Sequence, residues 1–170
     1  MTSRTLAATR SLVLSALMAA MMLLGKQFMS GLPNIEPVSL FILLFTLELP
    51  RQTPLAIGCF VLLQGILYGF GIWWAMYLYV WYILMLVVLL FRKIDHPLFW
   101  AVICGLYGLA FGGLCSLVYF FIWDGSAVLT WWLAGLQFDL YHMAGNFILT
   151  LFLYLPLRRC LHIAVKQMGL

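Results

Sequence analysis

Apolar residues fill the chain in six runs, at residues 11 to 30, 37 to 50, 54 to 71, 76 to 91, 98 to 122 and 131 to 157. Polar positions crowd between them into GLPNIEP, LPRQTP, YGFGIWW, FRKIDHP and IWDGSAV. Gly, Pro, Asp and Asn in such clusters mark turns, and long runs with few charges read as membrane helices. The pattern predicts an all-α integral membrane protein, one domain over residues 1–170 with six transmembrane helices. The second run is short: 14 residues make about 21 Å of helix against a hydrocarbon core of about 30 Å. Either the bilayer thins there or neighbouring helices shield that segment. The first run continues past Ala20 to Leu24 with no small-residue cleavage site before Lys26. It therefore reads as a permanent span and not as a signal peptide.

Composition sharpens this picture. The chain is 66% hydrophobic and 8% charged, with a mean hydropathy of +1.10, far from soluble averages. A net charge of +4 raises the question of nucleic acid. The basic residues stand in ones and twos at the ends of apolar runs and form no patch, so no nucleic-acid partner is expected. They act instead as topology signals. With a cytoplasmic N-terminus, Arg4, Arg10, Arg51, Arg92, Lys93, Arg158, Arg159 and Lys166 fall inside and Lys26 alone near the outside, so both termini are expected in the cytoplasm. Glu36, Asp124 and Asp139 then lie in the outer half, Glu48 and Asp95 toward the cytoplasm. Cys59, Cys104, Cys115 and Cys160 stand apart without C-x-x-C spacing, which indicates neither a disulfide framework nor a zinc site.

The last run holds the stretch QFDLYHMAGN, residues 137–146. At about 100° per residue, Asp139, His142 and Asn146 share an arc of roughly 60°, and Thr150 extends the line. Such a face is either an interhelical hydrogen-bond network or a ligand site, the default reading for ionisable groups inside a membrane. His142 lies about 4.5 Å deeper than Asp139 and Asn146 about 10 Å deeper, at 1.5 Å per residue, so the polar face lines the outer half. Asn34 and Glu36 precede the second run at that level, and Gln64 and Tyr68 come to the outer end of the third. The segment YGFGIWWAMYLYVWY brings Trp73, Trp74 and Tyr77 beside them. Trp and Tyr also gather at membrane interfaces as a belt, but the same rings can stack on a flat heterocycle that the polar groups orient. The acidic residues suit a cationic or hydrogen-bond-donating ligand ring.

Small residues define other faces. Gly65 with Gly69 and Gly108 with Gly112 repeat a small-xxx-small spacing that lets helix backbones approach within a bundle. Ala16 and Ala20 carry the same spacing in the first run, on a surface rich in Met and Leu that suits an adaptable partner contact.

Six spans, cytoplasmic ends, the Ala16/Ala20 pair and the strings GLPNIEPVSL, YGFGIWWAMYLYVW and FDLYHMAGNF together resemble a substrate-binding S component of an energy-coupling factor (ECF) transporter, over nearly the whole chain. The resemblance implies a binder of a vitamin or related micronutrient in the cell membrane, working with a transmembrane T component and two cytoplasmic ATPases. It implies docking of Ala16 and Ala20 on the T component. By location it implies a pocket that includes Asn34, Glu36, Trp73, Trp74, Asp139, His142 and Asn146. No G-x-x-x-x-G-K-[ST] loop is present, so ATP hydrolysis is assigned to partners and the chain itself is not expected to be an enzyme. Metal-specific relatives carry a His-containing N-terminal segment, whereas this chain begins MTSRTLAATR; no metal and no cofactor is expected. Two other classes remain open from the residues alone. One is a small intramembrane enzyme with Asp139 and His142 as orienter and base and Cys115 or Ser116 as nucleophile; the other is a structural membrane subunit.

The charge asymmetry makes a direct prediction. Reporters fused after Leu170 or within residues 92–97 report cytoplasm, and a reporter within 123–130 reports the outside. A C-terminus found outside reverses the placement of the polar pocket.

Overall fold

The computed structural model describes residues 3–169; Leu170 and the side chain of Arg4, used in the charge count, lie outside the described residues. The helices are α1 (Ser3–Phe28), α2 (Val38–Glu48), α3 (Thr53–Tyr68), α4 (Ile72–Phe91), α5 (Pro97–Ser116), α6 (Val118–Ile122) and α7 (Gly125–Gln167). No strand occurs among the described residues. Four segments are long and apolar enough to cross a membrane: Ala8–Phe28, Ile72–Phe91, Pro97–Ile122 and Gly125–Gln167. Large apolar side chains such as Leu24, Leu90 and Phe152 point outward, as expected of a multi-pass membrane protein whose outer surface meets lipid.

The short second run becomes α2, 11 residues long and so about 16 Å. Its neighbours shield it. Val38, Ser39, Leu40, Ile42, Leu43, Leu44, Phe45 and Thr46 are buried, the signature of a helix that is apolar all round and sits in a core. It packs against α1, α3, α4 and α7. Trp81 of α4 is fully buried near it, in edge-to-face contact with Phe60 of α3 (ring centroids 6.1 Å apart). Gly25 supports the α1–α2 turn, since a Cβ there would stand 2.7 Å from both Phe41 and Pro37.

Several boundaries differ from those the apolar runs predict. The last helix begins at Gly125 and runs 43 residues to Gln167, well beyond 131–157. Asp124 is its cap: one carboxylate oxygen accepts from the backbone N–H of Ser126 (2.8 Å) and of Ala127 (3.0 Å) and from the Ser126 hydroxyl. These donors hold its carboxyl below the usual carboxylate range. Pro156 lies inside α7 without ending it. The fifth run divides at Leu117 into α5 and α6. Hydropathy marks the apolar middle of a helix, whereas caps and polar turns set its ends.

The glycine pairs behave differently from one another. Gly108 and Gly112 bring α5 against α7, the most extensively packed pair of helices. A Cβ on Gly108 would lie 2.7 Å from the His142 carbonyl oxygen, and one on Gly112 would collide with the Asp139 carboxylate. Gly65 and Gly69 form no such helix–helix seam. Gly65 makes room for the Phe70 and Trp74 side chains just ahead in the chain, and Gly69 ends α3 with φ 87°, a value that favours glycine. That pair serves the α3–α4 turn and the first turn of α4, which carries Trp74.

At the end of the bundle that carries the α2–α3 turn, Arg158 of α7 donates from Nε to Glu48 (2.9 Å) and from a terminal nitrogen to Asp95. The Tyr154 hydroxyl also reaches Asp95 (3.0 Å), and His162 Nδ1 stands 2.9 Å from Glu48. One guanidinium thus ties together the end of α2, the 92–96 turn and α7.

Gly108→Ala, overpacking the α5–α7 seam, is expected to cost about 1–3 kcal/mol and to lower the detergent melting temperature. Gly135→Ala, on the same α7 but with nothing within 4 Å of the new Cβ, is expected to stabilise by up to about 1 kcal/mol through helix propensity. Equal melting temperatures for the two variants would contradict the seam.

Candidate ligand-binding site

The opposite end of the bundle, where α1 meets α2 and α3 meets α4, holds two adjoining cavities. The first, about 460 Å³, is walled by the end of α1, the 29–36 loop, Gln64 and Tyr68 of α3, and Trp73 and Tyr77 of α4. The second, about 510 Å³, lies between α4, α5 and residues 131–139 in the first part of α7. Asn34, Trp73 and Tyr77 line both. Each volume falls within the roughly 300–1,000 Å³ of small-molecule sites.

Sequence position places each contributor. Asn34 takes the left-handed backbone conformation (φ 54°) that Asn tolerates better than most residues, and its amide donates a long hydrogen bond to the Phe138 carbonyl of α7 (3.4 Å). The same loop sets Ile35 against Gly145, where a Cβ would be 3.1 Å from the isoleucine side chain. Glu36 is buried and forms an ion pair with Lys26. The Lys26 ammonium also donates to the Tyr77 hydroxyl (3.3 Å) and sits 5.6 Å from the Tyr77 ring centroid. Tyr68 is half-exposed and donates to Gln27 (2.5 Å). Gln64 is buried with its amide nitrogen unpartnered.

The polar face of α7 turns wholly inward. Asp139, His142, Asn146 and Thr150 are each at most 2% exposed, so the polar line faces the bundle interior, where ionisable and polar groups of membrane helices are placed. Asp139 lines the second cavity and accepts from the Gly112 backbone N–H (2.8 Å). His142 lies behind the cavity wall, its ring 4.7 Å from that of Phe111; Asn146 follows one turn deeper. Neither His142 nitrogen has a hydrogen-bond partner, and the Asn146 amide nitrogen has none.

Of the residues singled out from the sequence, Asn34, Glu36, Gln64, Tyr68, Trp73, Tyr77 and Asp139 come together on the cavity walls. His142 and Asn146 stand behind them. Trp74 points elsewhere: its indole N–H donates to the Val61 carbonyl (2.8 Å) and its ring packs edge-on to Phe70, so it braces the α3–α4 turn. No hydrogen bond links Asp139 to His142, and the Ser116 hydroxyl is engaged by the Gly113 carbonyl of its own helix (2.8 Å). Among the described residues no three His, Cys, Asp or Glu side chains gather as a metal site.

Sequence reading missed Lys26, Phe111, Trp131 and Phe138. Lys26 served there as the lone outer charge of the topology count. A cation ten residues before a carboxylate, across a turn, was the available signal for the pair with Glu36. Nothing in the local pattern distinguishes the three aromatic residues from packing residues. The ion pair also changes the charge of the site, since Glu36 brings no free negative charge to the first cavity. No family model, curated protein or solved structure matches the chain.

Lys26→Met leaves the buried Glu36 without its partner and is expected to lower stability by about 1–3 kcal/mol, less than a fully buried pair because both groups retain some water. Adding Glu36→Gln restores part of that loss, a coupling read from melting temperatures of the single and double variants. Strict additivity would mean that the pair contributes nothing.

Proposed function

We propose that this chain is the substrate-binding membrane subunit of an ATP-driven importer of the energy-coupling factor kind, with six membrane passes and both termini in the cytoplasm. It captures a small vitamin-like molecule on the outer side and delivers it with a T component and two ATPases. The observation that carries the reading is the pair of adjoining cavities sharing Asn34, Trp73 and Tyr77. Aromatic faces and fixed polar groups line one end of an otherwise apolar bundle there. Small-molecule sites combine apolar enclosure with a few oriented polar groups in this way. Arg51, Arg92 and Lys93 follow the other ends of α2 and α4, and Arg158 and Lys166 lie in the last part of α7, which supports an outward-facing pocket under the positive-inside rule.

The outer surface of α1 supports the transport part of the reading. Its inward side consists of Leu14, Ser15, Met18, Ala19 and Met22, whereas Ala16 is exposed and Ala20 partly so, beside exposed Leu12, Leu17 and Leu24. Small residues flanked by Leu and Met on an outward helix face allow close approach of another membrane helix.

Two measurements test this. Purified protein is expected to release a small molecule on denaturation, identified by mass spectrometry, and Trp73→Ala is expected to weaken its binding roughly 2- to 12-fold through lost stacking. The Ala16→Leu, Ala20→Leu double variant is expected to keep binding and lose ATP-dependent uptake in cells expressing the partner subunits. Uptake undiminished in that variant removes the docking assignment; a protein that retains and binds no small molecule removes the substrate-binding one.

A further inference from the structure

The charges of the two cavities do not cancel. Lys26 and Glu36 neutralise one another in the wall of the first. In the second, Asp139 is 2% exposed, its hydrogen-bonding groups are the uncharged Gly112 N–H and Trp132 indole, and among the described residues no cationic side chain pairs with it. An ionised carboxylate held away from water is costly unless a positive charge lies near. Gly112 fixes the carboxylate there, since the group fills the space a Cβ would occupy.

Aromatic side chains make up much of the rest of that cavity's wall. Trp73, Tyr77, Phe111, Trp131 and Phe138 line it together with Asp139. Aromatic rings carry negative potential on their faces and attract cations, most strongly where water is excluded. Tyr77 already has the Lys26 ammonium over its ring; Trp73, Phe111 and Trp131 pack on Tyr77, His142 and Tyr119 respectively and also line the cavity. A carboxylate without a cationic partner and an aromatic-rich wall select the same chemistry.

We propose that the second cavity takes a small organic cation, a quaternary or protonated heteroaromatic ring, with Asp139 as its counter-ion and the ring faces of Trp73, Phe111 and Trp131 around its positive charge. This rests on the substrate-binding reading above and gives the ligand its charge class. The first cavity, electrically balanced and lined by Gln27, Ser30, Asn34 and Gln64, accommodates an uncharged hydrogen-bonding portion of the same molecule.

The test uses three probes of one shape, N-methylquinolinium (cation), quinoline (neutral) and quinoline-3-carboxylate (anion), with tryptophan fluorescence of the detergent-purified protein at neutral pH. N-methylquinolinium is expected to bind roughly 10- to 30-fold more tightly than quinoline and the anion not measurably. Asp139→Asn is expected to abolish the preference while quinoline binding persists; should that variant not fold, the comparison on the unmodified chain still decides. Equal or tighter binding of quinoline or of the carboxylate overturns the charge class but leaves a small-molecule site in place. Where no probe binds, the charge of the molecule released on denaturation decides: a cation supports the proposal and a neutral or anionic molecule overturns it. No probe binding and no released molecule overturns both this proposal and the substrate-binding reading.

Discussion

Where α5 carries Gly108 and Gly112, α7 comes so close that its own backbone and the Asp139 carboxylate occupy the space of the missing side chains. The rest of the site depends on that contact. It turns the polar line of α7 inward, gives Asp139 a backbone donor, and lays His142 against Phe111. A larger residue at either glycine would push α7 outward and open the interior to lipid, which cannot satisfy those polar groups. The packing of two helices and the chemistry of the cavity are therefore one constraint.

The remaining charges work as ties between helices. At one end Lys26 and Glu36 close the turn from α1 to α2 and reach α4 through Tyr77; at the other Arg158 gathers Glu48 and Asp95 onto α7. Between these ties lies α2, too short to cross a bilayer by itself and enclosed on all sides. Its apolar surface serves as the core around which the longer helices pack. The ion pairs hold its two ends with each carboxylate partnered, and Asp139 is the buried carboxyl that, among the described residues, has no cationic partner.

Much of this was legible before any tertiary structure. The six apolar runs correspond to the major helices, the shortness of the second left a thinned bilayer or shielding by neighbours, of which the helix shows the shielding, and the arc of Asp139, His142 and Asn146 is buried as one face. Helix ends were read less well, because Asp124 capping and the tolerated Pro156 extend α7 beyond its apolar middle. Trp74 shows the limit for aromatic residues. It sits beside Trp73 in sequence, yet about 100° of helical rotation separates them, and one lines the cavities while the other bonds to Val61.

The sequence by itself determined what local physics can determine: that the chain is helical and apolar enough for a membrane, which residues share a helix face, and where turns interrupt it. Periodicity and turn chemistry act within one segment, so they are visible along the chain. Only the tertiary structure decided that Gly108 and Gly112 join two helices while Gly65 and Gly69 serve a turn. It also decided that Lys26 cancels Glu36, and that Trp73 of α4 and Phe111 of α5 line one cavity with Asp139 of α7. Each of those depends on which distant segments meet, and therefore on the packing of the whole bundle, which no single stretch of residues encodes.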